Sequence, residues 1–169
     1  MVIQNNKDSQ HILPSLSSNW LLYENSKYNI KVKYPTTWNY QNKDNPWSSF
    51  VIFFPRNDKQ SGANISISIE FLSDLISLQE FIKKFKQEVL EYNEKCNFLE
   101  KKESTFLHTA GLRVTFECIR ENQKIKKMAV ITLRDKRAYT IYYEVEVNSF
   151  SQFESIANMM LNSLDVSSH

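Results

Sequence analysis

The stretch from Ile125 to Arg134 constrains the fold more tightly than any other part of the chain. Successive side chains of a strand point to opposite faces. Met128 and Val130 would therefore point one way, and Ala129, Ile131 and Leu133 the other. Neither set is polar, so a sheet containing this strand has to be covered on both faces. Residues 112–120 and 138–147 read as neighbouring strands, joined to it by turns around Asn122-Gln123 and Asp135-Lys136. Connections this short suit hairpins and exclude the long crossovers of a parallel sheet. The three strands form an antiparallel meander, and something amphipathic must lie on each side of it.

Two segments can supply those layers. Leu78, Phe81, Ile82, Phe85, Val89 and Tyr92 recur at three- and four-residue steps, the spacing of one helix face. Ser77 and Glu80 make a capping box at its start. Lys83, Lys84, Lys86, Glu91, Glu94 and Lys95 give the opposite face mixed charge, as on a solvated surface. A second helix, about 150–163, carries Phe153, Ile156, Ala157, Met160, Leu161 and Leu164, with Ser149 and Gln152 as a second capping box. Upstream, residues 20–24 and 29–34 read as a hairpin: Ile30, Val32 and Tyr34 alternate with Asn29, Lys31 and Lys33 until Pro35 stops the ladder. Residues 41–49 read as a polar loop. Phe50 to Phe54 is continuously apolar, as in a strand covered on both faces, and Pro55 ends it. Ile65, Ile67, Ile69 and Phe71 alternate with Ser66, Ser68 and Glu70, as in a one-sided strand. The order is hairpin, strands, helix, meander, helix. The fold class is α+β, an antiparallel β-sheet flanked by helices on both faces in an α/β/α sandwich.

A chain of 169 residues fits one domain. Residues 1–18 are polar, rich in Asn, Gln and Ser, and read as a flexible leader. Residues 19–166 form the domain, and 167–169 a tail. Nothing approaches the roughly 18 apolar residues of a membrane span, and residues 1–18 lack the apolar run of a signal peptide. The expected location is cytoplasmic for the chain as it stands, and extracytoplasmic if a natural signal was removed; no direct membrane insertion is expected. Only two glycines are present, which excludes Gly-rich phosphate loops, and a net charge of +2 argues against nucleic acid.

The chemistry-bearing residues form no catalytic constellation. His11 and His169 lie near the ends, and His108 sits in a turn with no carboxylate at ligand spacing. No nucleophile has a base and an orienting group at hand. Cys118 shares an apolar strand face with Leu112, Val114 and Phe116, so a buried free thiol is the preferred reading. A Cys96–Cys118 disulfide is the weaker alternative, since Cys96 lies beyond a helix end. Glu144 and Glu146 alternate on one strand face, with Glu117 expected near them across the meander. Such carboxylates could act as acid and base or hold calcium, but a charged face balanced by Arg113, Lys124 and Lys126 is favoured. Arg120, Lys124, Lys126 and Lys127 make one basic cluster and Arg134, Lys136 and Arg137 another. They lie at opposite ends of the meander, where they keep strand ends soluble. No metal or other cofactor is expected. Trp47, just after Pro46 in the polar stretch, is the residue best suited to a protein partner, with Tyr40 as its neighbour.

In order and spacing, several segments resemble the PsbP-like domain family. They begin with Tyr23-Glu-Asn-Ser-Lys-Tyr28-Asn-Ile30-Lys-Val32-Lys-Tyr34-Pro35-Thr-Thr-Trp38, Val51 to Pro55, Asn64-Ile-Ser-Ile67 and the Leu78 helix. Leu107-His-Thr-Ala-Gly111, Ala138-Tyr139-Thr-Ile141-Tyr-Tyr143 and Met160-Leu-Asn-Ser163-Leu164 continue the series. The resemblance spans roughly 20–166 and is closest to the stand-alone members of unknown role. It implies an antiparallel sheet between helices, a fold shared with a Ran-binding nuclear-transport factor, and a non-enzymatic character. The member that names the family is an extrinsic photosystem II subunit that helps retain calcium and chloride. Residues 1–18 do not look like that subunit's export signal or N-terminal arm, so no photosystem role and no binding residues are carried over. Asn29 stands where the family usually has Gly, and Asn tolerates the left-handed conformation such a turn needs. The expected function is a protein-binding accessory domain; the alternative is a carrier of a small apolar ligand held between helix and sheet.

Overall fold

The computed structural model of the chain describes residues 19–44, 48–57 and 62–166. Strands β1 (Trp20–Asn25), β2 (Ile30–Pro35), β3 (Trp38–Asp44), β4 (Ser48–Pro55) and β5 (Asn64–Phe71) precede helix α1 (Leu78–Tyr92). Strands β6 (Glu94–Phe106), β7 (Thr109–Arg120), β8 (Gln123–Arg134) and β9 (Arg137–Glu146) follow it, then helix α2 (Phe150–Ser163) and the short β10 (Asp165–Val166). Seven strands form one antiparallel sheet in the order β3-β4-β5-β9-β8-β7-β6, and β1-β2-β10 form a second.

Three two-residue turns set the meander. Leu107-His108, Glu121-Asn122 and Asp135-Lys136 all have positive φ at both residues, between 51° and 66°. That is the turn whose twist matches the flanking strands. Asn29 also adopts a positive φ, 53°, at the end of the first hairpin. At Gly111 a Cβ would lie 2.7 Å from the Ile131 carbonyl oxygen, so glycine permits the close approach of β7 and β8.

Both faces of β8 are buried, as its sequence requires. Phe81, Ile82 and Val89 of α1 pack on Leu112, Val114, Phe116, Ala129 and Ile131. On the other face Phe153, Ala157 and Met160 of α2 pack on Met128, Val130, Ile141 and Tyr143, and the small sheet adds Tyr23, Val32 and Tyr34. The capping box at Ser77 is formed: its Oγ accepts from the Glu80 amide at 3.2 Å, and the Glu80 carboxylate accepts from the Ser77 amide at 2.8 Å.

Five expectations need correction. Residues 41–44 are strand rather than loop, because they pair with β4 from the sheet edge, where no second neighbour imposes an apolar pattern. β4 is fully covered on one face only: Val51 and Phe53 are buried, while Phe50, Ile52 and Phe54 are half-buried. Ser149 does not cap α2, since a 3-10 turn, Val147–Ser149, leads into the helix and holds Ser149 in a helical conformation. The turn after β7 falls one residue earlier, at Glu121-Asn122. Most consequential is β6, which the pattern did not disclose. It runs antiparallel to β7 and carries Cys96 up to Cys118, and the two form a disulfide. The preferred reading of Cys118 as a free thiol is therefore overturned.

The disulfide closes a separation of 22 residues, α1's last turn lying next to it through the Val89 carbonyl. Replacing both cysteines by serine should cost about 3 kcal/mol in urea unfolding, the chain-entropy cost of freeing a loop of this size, and wild-type protein in reductant should lose a similar amount. Phe85 is half-buried, with ring contacts to Phe116 at 6.0 Å and Tyr142 at 6.4 Å. Phe85→Ala should cost about 2–3 kcal/mol in the same assay, below the range for fully buried phenylalanines.

Candidate functional site

The two ends of the large sheet are built differently. β6 at one end is charged along its length, with Glu94, Lys95, Glu100, Lys101, Lys102 and Glu103, and its pairing with β7 slips twice, between Glu94 and Asn97 and between Phe98 and Glu100. Charge and bulges both discourage a further strand from adding there. β3 at the other end has neither protection in full. Its register with β4 runs without a break from Trp38 opposite Pro55 to Asp44 opposite Ser49, and every residue from Asn39 to Asp44 is exposed.

Tyr40 is the aromatic residue of that edge. Trp38 anchors the strand, buried and in ring contact with Phe153 of α2 at 6.2 Å. Two residues on, Tyr40 faces the same way but is 45% exposed. Its ring meets Tyr23 at 5.0 Å, Tyr34 at 5.7 Å and Phe53 at 6.1 Å, the first two edge-on. These neighbours hold the ring in place at little further entropic cost. Tyr23 donates from its hydroxyl to Asn42 Oδ1 at 2.7 Å, tying β1 to the exposed part of β3. Burial raises the Tyr23 phenol's pKa, although the Asn25 amide works against it, so the hydroxyl stays a donor at neutral pH. Leu21, 40% exposed, stands opposite Tyr34 in the small sheet and extends the apolar rim. Trp47, the other half of the expected surface, lies outside the described residues.

The carboxylates are separated by the strand alternation. Glu144 lies on the α1 side. It accepts from Asn64 Nδ2 at 2.9 Å and from the Arg120 guanidinium at 3.2 Å, and pairs with Lys127 at 3.4 Å. Lys127, its side chain 6% exposed, also donates to Asn93 Oδ1 at 2.8 Å, and Asn93 donates back to the Val89 carbonyl at the end of α1. Glu117 is on the opposite face, paired with Lys124 at 2.6 Å, so it does not approach Glu144 as expected. Burial opposes ionisation of Glu144, but Asn64, Lys127 and Arg120 outweigh it and hold its carboxyl below the usual range. A carboxylate so fully engaged is a strut across β5, β7 and β8, reaching the end of α1 through Lys127 and Asn93, rather than a base. Among the described residues no three His, Cys, Asp or Glu side chains come together to hold a metal. The first basic cluster is likewise divided: Arg120 and Lys127 serve Glu144, Lys124 serves Glu117, and Lys126 lies over the Phe150 ring at 4.5 Å. His108 is exposed in its turn. His11 and His169 lie outside the described residues.

A cleft of about 520 Å³ opens where the start of α1 meets the β6–β7 hairpin. Gln79, Glu103, Ser104 and Thr105 line it beside Leu78 and Leu112. Ala110 and Gly111 complete a lining that is as much polar as apolar, short of the predominantly apolar walls usual for a carrier of greasy ligands.

A model of the PsbP-like protein family matches residues 2–166. No curated protein matches the chain. Among solved structures, the cyanobacterial PsbP (CyanoP) of Synechocystis sp. PCC 6803 superposes with a TM-score of 0.67 at 12% identity, covering 96% of this chain and 98% of that one. A protein of unknown function from Pseudomonas aeruginosa, PA94, described as a putative regulator, has a TM-score of 0.60 at 9% identity, covering 89% and 99%. LpqN of Mycobacterium tuberculosis, described as involved in cell envelope biogenesis, has a TM-score of 0.57 at 9% identity, covering 88% and 91%. At these identities the structures share the fold alone.

Glu144→Gln tests the strut. The folded state lowers this carboxyl's pKa, so its stabilisation is complete above the free value of 4.5 and is lost as pH falls through the lower folded value. Gln leaves the Lys127 ammonium buried beside a neutral amide, which should cost about 2–3 kcal/mol at pH 7. Thermal melts should show the gap between variant and wild type narrowing as pH falls below 4.5, once wild-type Glu144 itself begins to take up a proton.

Proposed function

Because the chain belongs to the PsbP-like protein family, we propose that it is a non-enzymatic accessory domain that binds a protein partner, taking an extended segment of it along β3. The observation that carries this reading is the regular, exposed β3 edge with Tyr40 half-open at its centre. An added strand would gain main-chain hydrogen bonds from β3, while Tyr40 and Leu21 would receive an apolar side chain; backbone pairing gives affinity and such pockets give specificity. Trp47, which falls between β3 and β4 in sequence, belongs to the same proposed surface. No photosystem role is included, since 12% identity to CyanoP supports a shared fold and nothing finer.

The Cys96–Cys118 disulfide favours the extracytoplasmic alternative for location, because thiol-reducing compartments keep such pairs open. Alkylation of thiols in intact cells, followed by mass measurement of the protein, should find both cysteines unmodified. Recovery of the doubly alkylated form would return the proposed location to the cytoplasm.

The partner surface is tested by placing a photo-crosslinking amino acid at position 40, and in a separate protein at position 101 on β6. Irradiation of native cells should give a discrete adduct from position 40 only. Equal adducts from both positions, or an adduct from position 101 alone, would overturn the assignment to β3. Tyr40→Ala should leave the melting temperature within a few degrees, about 1 kcal/mol of lost ring contact, while abolishing any adduct formed through a crosslinker at the neighbouring position 42.

A further inference from the structure

At the far end of the sheet from β3, on the α2 side, a cleft of about 340 Å³ opens between α2 and strands β6, β7 and β8. Each strand contributes one cation to its wall: Lys102 from β6, Arg113 from β7 and Lys126 from β8. Lys102 and Arg113 stand directly opposite each other in the ladder. Like charges in that position repel, and it is Lys102 that has a carboxylate, Glu100, to offset its charge.

The carboxylates nearby do not neutralise the group. Lys102 is taken by Glu100 at 2.6 Å. Glu117, the ladder neighbour of Lys126, is taken by Lys124. Among the described residues neither Arg113 nor Lys126 has an ion-pair partner. Arg113 has one long hydrogen bond, to Asn158 Oδ1 at 3.4 Å, and the Lys126 ammonium rests over the Phe150 ring. Both cations are half-buried, so their charge is screened less than on an open surface. Glu100 and Glu154 also line the wall; Glu100 is occupied by Lys102, and Glu154 leaves an acceptor for a ligand's hydroxyl or amine.

We infer that this cleft binds the oxyanion of a small polar molecule, a phosphate or a carboxylate, through Arg113 and Lys126. The planar guanidinium suits two oxygens of either group, and Lys126 adds a point charge from the next strand. The inference is independent of the partner surface at β3.

The test is a titration of the isotope-labelled chain followed by amide NMR shifts, with inorganic phosphate and, separately, lactate as probes. Saturable shifts are expected at residues 113, 126, 128 and 150–151 with one probe or both, and the tighter probe identifies the oxyanion. Arg113→Gln and Lys126→Gln should each weaken binding about tenfold, the loss of one charge-assisted hydrogen bond. Arg113→Lys should recover part of that loss, and Lys83→Gln on the outer face of α1 should change nothing. Two independent variants keep the test decisive if one of them fails to fold. Absence of saturable shifts in the cleft with both probes, or shifts undiminished in both glutamine variants, would overturn the assignment.

Discussion

Burial of β8 and β9 on both faces forces the rest of the architecture. Val130, Ile131, Ile141 and Tyr143 are essentially inaccessible, and they sit in the middle of the sheet between two apolar layers. A strand pair of this kind cannot sit at an edge, so β5 and β7 must flank it, and each face needs a cover. α1 covers one face alone. α2 is too narrow for the other, and the small sheet completes it with Tyr23, Val32 and Tyr34. Tyr143 shows how little polarity this layer allows: its hydroxyl donates to the Phe150 carbonyl at 2.8 Å, the buried partner such a group requires. Burial also pushes its phenol pKa far up, so it remains a neutral donor.

The same two-sided cover explains where open surface remains. The outermost strands, β3 and β6, have a neighbour on one side only, so they must meet water as edges. The chain spends two bulges and six charges on β6, and a disulfide pins that strand to β7. β3 is fixed by the buried Trp38, the hydrogen bond of Tyr23 to Asn42, the aromatic contacts of Tyr40 and a Lys27–Asp44 ion pair, and its backbone is regular. An edge left this ordered and this bare is what strand addition uses. In a protein that never adds a strand, it would be a hazard.

How much of this was legible follows from what each residue faces. Elements with one clean periodicity were readable: the 3.6-residue stripe of α1 with its capping box, the alternation of β5, and the doubly apolar β8. Elements at the sheet margins were not. β3 and β6 face solvent on most sides, so their residues obey no buried pattern, and Gln41-Asn42-Lys43-Asp44 reads like loop. Missing β6 also hid the disulfide, because Cys96 can be placed opposite Cys118 only once that strand is known. Tyr40 enters the sequence reading as the neighbour of Trp47, but its setting against Tyr23 and Tyr34 depends on a second sheet whose packing no local signal announces. Glu117 was expected beside Glu144 on sequence proximity in the meander. The registers of β7 with β8 and of β8 with β9 put the two on opposite faces.

The period of two also gives adjacent basic residues unlike surroundings. Lys126 and Lys127 are one peptide apart, yet their side chains enter different layers. Lys127 meets Glu144 and Asn93 beneath the end of α1, where it shares the carboxylate with Arg120 and removing that partner would leave it stranded. Lys126 meets the ring of Phe150 at the first turn of α2, where a cation is attracted but not neutralised. Arg113 and Arg120 on β7 divide in the same way, the one towards α2 with a single long hydrogen bond, the other onto Glu144. What reads along the chain as one basic cluster is, in the sheet, a paired network of Arg120 and Lys127 around Glu144 on one face and, on the other, Lys124 paired with Glu117 beside a Lys126 that has no carboxylate partner. The alternation of the strands, rather than the number of charges, decides which of them are free to meet a ligand.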